Sequence, residues 1–421
     1  MLLPKFRLLS ILWTALVLAL TAVSPGVNAA GSGTYEAELP ADLATAKDMC
    51  ALLPCKDVFP GATHFSERKG QPPYVEAYDK AGDARQLLGY VMLSTDITDT
   101  PAYSGKPVVT LIGMDKTGHF VGVKVIKHSE PILLLGIPES ALLKFNAQYL
   151  GKSVADKLEI GQSRPEDEVI GLDAISGATV TVIAQNQVMM ASGSAVARQV
   201  GILAPTVREP ARYKVTGEAL TWDELVGRGA VQHLRVMPEQ LGQDRSADPF
   251  IELWFGDLSH PDIGKSVLGT TGWDNLKLQL KDGEHAIFII RTAGRESFKG
   301  SGFVRGGLYD RVQVRQGADS FTFRDLDYLN LYGVQAAGAP RYNESAIFII
   351  RSHAFSDAYP WKMSLLGNRI DRATGTKSFT SFDTAYWLPA SMLEGGRPKV
   401  LEPDAPWVRI WKSRAIEIAL F

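Results

Sequence analysis

The segment Asp173-Ala174-Ile175-Ser176-Gly177-Ala178-Thr179-Val180-Thr181 concentrates the side chains best suited to hold a phosphate. Ser176 has the chemistry of a helix N-cap. Gly177 lets a bulky group approach the backbone. The first turn of a following helix offers unpaired N–H groups and the positive end of the helix dipole, where an anion sits favourably. Thr179 and Thr181 place hydroxyls in that turn. The segment reads as an anchor for a phosphate-bearing group, with Thr179 as the oxygen that carries it. The competing reading is a capped helix start and nothing more. Capping accounts for Ser176 and Gly177 but not for the whole string, which would arise by chance in a chain this long roughly once in a thousand.

The elements around this segment must position it. Ala178 to Val200 predicts a long helix, with Val182, Ile183, Met189, Met190, Val196 and Ala197 on one stripe. Upstream, Leu87–Ser94, Val108–Met114 and Phe120–Lys127 read as strands separated by turn-formers. Helices are expected over Asp42–Leu53, stopped by Pro54, and over Glu139–Leu150, stopped by Gly151. Helices and strands interleave, so residues 42–203 are expected to form an α+β domain. Residues 204–212 have the composition of a linker, and 213–406 read as a mostly β domain. Its expected strands are Ile251–Phe255, Leu276–Leu280, Ala286–Arg291, Arg311–Arg315 and Phe321–Phe323. The hexapeptide Ala-Ile-Phe-Ile-Ile-Arg occurs at 286–291 and again at 346–351. Six residues are too few to establish a duplication, and two independent buried strands explain them as well.

The bulk numbers narrow the function. A chain of 421 residues has room for two domains, and 45% hydrophobic with 21% charged residues is ordinary globular composition. A net charge of −2 gives no broad basic footprint, so nucleic acid is not an expected partner. Cys50 and Cys55 could form a small disulfide loop or remain two thiols. Two cysteines cannot supply the four thiolates of an iron–sulfur cluster, and the seven histidines show no metal-binding spacing. No metal centre is expected. Residues 1–30 have the layout of a secretory signal peptide: Lys5 and Arg7, an apolar run from Leu8 to Val23, and small residues near Ala29. An uncleaved anchor is the alternative. The tail, 407–421, mixes Trp407, Ile410 and Trp411 with Arg409, Lys412 and Arg414. That mixture suits a membrane interface or an ordinary amphipathic terminus.

The stretch Asp173–Thr179 resembles the flavinylation motif of the FMN-binding domains in NqrC and RnfG electron-transport subunits. In that family a flavin transferase links the FMN phosphate to the last Thr of Ser/Thr-Gly-Ala-Thr. The resemblance implies FMN on Thr179, with Asp173, Ser176, Gly177, Ala178 and Thr181 around it. The family also carries a loop of the type Glu-Thr-Pro-Gly-Leu-Gly upstream. The corresponding segment is His128-Ser129-Glu130-Pro131-Ile132-Leu133-Leu134-Leu135-Gly136-Ile137-Pro138, which lacks the family Thr and has apolar residues after the Pro. This variant, with Pro101-Ala102-Tyr103-Ser104-Gly105-Lys106-Pro107, resembles the NosR/NirI family, membrane proteins that support nitrous-oxide reductase in denitrifying bacteria. That resemblance implies a periplasmic location, free or at the inner membrane. It implies nitrous-oxide reductase or its assembly machinery as a partner, and a membrane electron-transfer partner with iron–sulfur clusters.

Several residues keep two readings. His128 and Glu130 could line the flavin beside Pro131, or form a surface pair at a strand end. Tyr103 could stack on the flavin ring or pack in a core. Lys106 could meet a phosphate or be solvated. No general acid, base or nucleophile for a substrate reaction is evident, so no catalytic residue is expected. Three functions compete: an electron-transfer flavoprotein, a docking or assembly module that works without flavin, and a free-standing flavin reductase, which would need a substrate pocket of its own.

Overall fold

The computed structural model describes residues 34–400, except 82–83, 135, 166–167, 205–207, 301–307, 318 and 371–376. The expected signal segment, the terminal tail and residues 205–207 of the expected linker lie outside the described residues.

An antiparallel sheet of five strands opens the fold: β1 (His64–Phe65), β2 (Val75–Ala81), β3 (Ala84–Leu93), β4 (Val109–Asp115) and β5 (Phe120–Lys127), in that order. Its strands alternate between two apolar faces. Val91, Leu93, Val109 and Leu111 face one core, shared with α1 (Met49–Leu52) and α2 (Cys55–Val58). Tyr90, Met92, Ile112 and Met114 face the other, shared with α3 (Glu139–Ala147) and α4 (Thr179–Gln199). Both faces are covered, which is why β4 is apolar at nearly every position. A disulfide joins Cys50 to Cys55, with their Cα atoms 5.3 Å apart, and settles the two readings left open by the sequence. The helix expected over Asp42–Leu53 is confined to its last turn, because the Asp48 carboxylate accepts the Ala51 N–H at 3.0 Å and starts the helix there.

The long helix α4 matches its expected span closely. Gly193 sits where the helix crosses the sheet. A Cβ there would lie 2.6 Å from Val154 Cγ1 and 2.9 Å from the Phe120 ring, so the close approach requires glycine. A short parallel pair, β6 (Lys157–Ile160) and β7 (Val169–Leu172), precedes it.

The rest is mostly β. One sheet has the order β13-β14-β10-β9-β8, formed by β8 (Val231–Val236), β9 (Ile251–Asp257), β10 (His285–Gly294), β13 (Tyr328–Leu329) and β14 (Glu344–Ile350). A second has the order β12-β11-β15-β16, formed by β11 (Leu308–Gln316), β12 (Asp319–Arg324), β15 (Trp361–Ile370) and β16 (Lys377–Tyr386). The repeated hexapeptides fall on β10 and β14, which pair antiparallel with Ile289 opposite Ala346 and Ala286 opposite Ile349. Their likeness reflects neighbouring strands buried in one core. The strand expected at Leu276–Leu280 is instead the end of helix α6 (Pro261–Gln279), with α5 (Trp222–Gly227) preceding it in the chain. Leu276 is buried and Leu278 exposed, and five apolar residues alone do not separate the two periodicities. The fold class is therefore an α+β part followed by a mostly β part.

The two parts are tied by buried charge. Glu159 on β6 pairs with Arg315 on β11 and with Arg164, the latter at 2.8 Å; both arginines also reach Asp383 on β16, at 2.6 and 3.3 Å. Asp319 receives Arg198 and Arg208, each at 2.9 Å.

Candidate functional site

Helix α4 begins at Thr179. Its N-cap is Ala178, no side chain caps it, and its first turn carries no acidic residue. Ser176, expected as the cap, lies two residues too early and is exposed. The reason is a tight turn: the Ala178 N–H donates to the Ile175 carbonyl at 3.0 Å, with Gly177 at φ +85° in the third position. That geometry demands glycine. A Cβ on Gly177 would also come within 3.3 Å of Ile137 Cδ1. Because no side chain covers the helix end, its N–H groups remain available to an anion.

The helix end forms one wall of a cleft of about 210 Å³, to which Gly177, Ala178, Thr179, Val180 and Thr181 contribute. Tyr103 and Ile132 form a second wall. The third comes from the β-rich part: Asp310 and Arg311 on β11, Leu366 and Asn368 on β15, and Phe379 on β16. Sequence reading missed Ile132 and the whole third wall, because nothing local announces a contact across more than a hundred residues.

Of the remaining expected residues, Glu130 and His128 sit behind the cleft. Glu130 is fully buried; it accepts the backbone N–H of Tyr103 at 3.1 Å and of Ser104 at 2.9 Å, and the Thr181 hydroxyl donates to it. His128 is also fully buried, and its Nδ1 accepts the Glu130 N–H at 3.2 Å. Burial pushes the His128 pKa down, against the pull of Glu139 and Glu130, so the ring favours its neutral form. Neither is the surface pair that the sequence allowed. Neither lines the cleft; they brace the loops that do. Pro131 is exposed at the start of the short turn Pro131–Leu133, which carries Ile132 to the cleft. Asp173 is exposed, and its backbone is clamped by Gln148, which donates to its carbonyl at 3.0 Å and accepts its N–H at 2.8 Å. Tyr103 is 37% exposed at the cleft edge, free to present its ring. Lys106 pairs at the surface with Glu36 at 3.0 Å.

The residues present fit a flavin mononucleotide. An uncapped helix end with an adjacent threonine hydroxyl suits its phosphate. Tyr103, Ile132, Leu366 and Phe379 offer apolar surface for an aromatic ring, and Asp310, Arg311 and Asn368 offer polar contacts. The open side of the cleft leaves room for a group larger than the enclosed volume.

Comparison with known proteins agrees. Residues 103–191 match the FMN-binding domain family, spanning Tyr103, the His128–Pro131 loop and Thr179. The chain is 36% identical over 392 residues to the regulatory protein NosR of Pseudomonas aeruginosa, covering 86% of this chain and 54% of that one. It is 36% identical over 391 residues to the regulatory protein NosR of Stutzerimonas stutzeri, covering 86% and 53%. The chain is a NosR/NirI homologue with an FMN-binding domain. A more distant relative, the protein NirI of Paracoccus denitrificans, is 24% identical over 272 residues, covering 62% of this chain and 38% of that protein. This NosR/NirI homologue spans about half the length of the NosR proteins it matches. FMN is the cofactor its domain binds. No solved structure matches it. Among the described residues no helix is long and apolar enough to cross a membrane.

Proposed function

We propose that this NosR/NirI homologue carries FMN as a phosphoester on Thr179 and works as one flavin station on an electron route that supports nitrous-oxide reductase. One observation carries the proposal: Thr179 is the first residue of a 21-residue helix and lines a cleft at its uncapped end. A hydroxyl esterified there keeps the remaining phosphate charge beside free N–H groups and the positive end of the dipole.

Attachment requires a flavin transferase and a flavin dinucleotide donor. The Thr179 Oγ–P bond forms, the donor's pyrophosphate P–O bond breaks, and the nucleoside monophosphate leaves as the hydroxyl proton is released. Asp173 and Ser176 are both exposed on the approach to the helix and so accessible to a transferase. Thr181 has another task, since its hydroxyl is engaged by Glu130.

FMN, once bound, supplies the electron chemistry; the protein supplies attachment, orientation and electrostatics. The helix end holds the phosphate, Tyr103 and Ile132 cover apolar surface, and the Glu130 brace keeps the Tyr103 loop against the helix. Among the described residues no side chain in the cleft is arranged as a nucleophile–base pair, and turnover of a bound substrate is not part of this reading. The proposed setting is the periplasm, with electrons exchanged through a membrane partner that holds iron–sulfur clusters.

The test is the intact mass of protein exported in the presence of a flavin transferase. The expected mass exceeds that of the polypeptide by one FMN less one water, and Thr179→Ala removes the addition. An unmodified Thr179 in protein recovered from its exported location overturns the reading.

A further inference from the structure

The family match ends at residue 191, yet the cleft beside Thr179 has a wall built more than a hundred residues later. That wall rests on an irregularity in β11. Tyr309 pairs with Phe323 on β12, but the next paired residue is Gln313, opposite Thr322. Three residues of β11 therefore stand against none on β12. Pairing with β15 begins only at Val312. Asp310 and Arg311 belong to neither ladder, and both line the cleft, which successive residues of a regular strand would not do. Bulges of this kind recur beside functional sites because they re-aim side chains.

The two charges in the bulge are not equivalent. Arg311 is already engaged: its Nη1 meets Glu296 Oε2 at 2.9 Å and donates to the Ser297 carbonyl at 3.1 Å. Asp310 feels the Arg311 charge but makes no ion pair with it; its Oδ1 lies against Gly300, buried without a hydrogen-bond donor among the described residues, and its place in the cleft wall rests on the bulge. A buried acceptor left unmatched is costly, and it signals a missing donor or a functional demand. Burial pushes the Asp310 pKa up, against the pull of Arg311, so this wall gains its negative charge as pH rises through that raised value.

We infer that Asp310, delivered by the β11 bulge, faces the FMN as an acceptor for the flavin's hydrogen-bond donors and sets its midpoint potential from the β-rich part of the chain. This inference rests on FMN being held beside Thr179. Reduction adds electron density to the flavin, so the ionised carboxylate opposes it and lowers the potential. The β-rich part is then a component of the cofactor site as well as a candidate docking surface. The buried Glu159–Arg315 and Arg164–Asp383 pairs support that role, because they hold β11 and β16 against β6.

The experiment uses the full chain loaded with FMN. Wild type, Asp310→Asn and Phe379→Ala are compared by intact mass, visible circular dichroism and potentiometric titration. Asp310→Asn keeps the shape and removes the charge; the expected result is full loading with an upward shift in midpoint potential. The shift should shrink as pH falls and the wild-type carboxyl takes up its proton, a dependence that a merely structural role would not produce. Phe379→Ala should alter the flavin's circular dichroism with loading intact. Equal potentials for wild type and Asp310→Asn at every pH, with equal loading, overturn the inference. Absence of flavin from the wild type would instead defeat the Thr179 reading, so the two failures are distinguishable. Should Phe379→Ala not fold, the isosteric Asp310→Asn still decides.

Discussion

Thr181 donates its hydroxyl to the buried carboxylate of Glu130, which also accepts the amides of Tyr103 and Ser104. One carboxylate thus ties the helix that begins at Thr179 to the loop that carries Tyr103. The proposed attachment residue, Thr179, and Tyr103 at the cleft edge are held in register by a group that lies outside the cleft.

Removing that group should unfasten both. Glu130→Ala leaves two amides and a hydroxyl without their acceptor, at a cost of about 3 kcal/mol. Urea unfolding should show the loss as a lower midpoint. Glu130→Gln keeps an acceptor oxygen and should lose less. Both variants should be flavinylated less completely than wild type when expressed with the transferase, by intact mass. Full stability in Glu130→Ala would mean that the loop does not depend on this brace.

A second prediction concerns the joint between the two parts. Glu159 is 6% exposed and faces two arginines, Arg315 and Arg164. Glu159→Ala removes the carboxylate that Arg315 and Arg164 share, and breaking a buried pair in this way costs about 3–5 kcal/mol. Unfolding of the full chain should shift accordingly. A double-mutant cycle with Arg315→Ala should show strong coupling, because the two residues share one network. Additive losses would show that the pair contributes nothing specific.

What could be read from the sequence was local. The Ser176–Thr181 string, the long helix after it and the β4–β5 hairpin announce themselves within a few residues of each element. The sequence points to Ser176 as the helix cap, but a glycine turn moves the start to Ala178. His128 and Glu130 read as a pair but not as a brace, since burial depends on what closes over a strand end. Arg311 reads from the sequence only as the start of a strand, and Asp310 falls just outside it. Their exposure to the cleft follows from a bulge and from packing between distant segments, and neither leaves a trace in local spacing. The disulfide stayed open because cysteine spacing allows a bridge without requiring it.

The last prediction is a pH dependence of stability, and it comes from a buried acid pair away from the cleft. Asp257 and Asp357 are 1% and 0% exposed. The Ser259 N–H donates to Asp257 Oδ1 at 2.7 Å, and the Tyr213 hydroxyl donates to Asp357 Oδ2. The oxygens left without a donor are Asp257 Oδ2 and Asp357 Oδ1, and a proton held by Asp257 toward Asp357 would satisfy both. Burial, and then the charge of Asp357, push the Asp257 pKa well above its ordinary 3.8. For Asp357, burial also acts upward, but His285, with its Nδ1 at 3.6 Å, the Asp257 hydroxyl and the Tyr213 hydroxyl outweigh it and hold the pKa low. His260, edge-on to Tyr213, and Tyr386, whose hydroxyl accepts the Asp257 N–H at 3.3 Å, complete the surroundings. The signs are opposite. The raised Asp257 contributes stability below the unfolded carboxyl pKa, and that contribution is lost as pH rises through its folded value; the lowered Asp357 contributes above the unfolded value and loses it in acid. Stability from the pair should therefore fall from the ordinary carboxyl range toward alkaline pH. Asp257→Asn, which mimics the protonated acid, should flatten that fall in a series of thermal unfolding curves, while leaving the acid limb set by Asp357. Identical alkaline profiles for the variant and the wild type would show that Asp257 does not carry the shared proton.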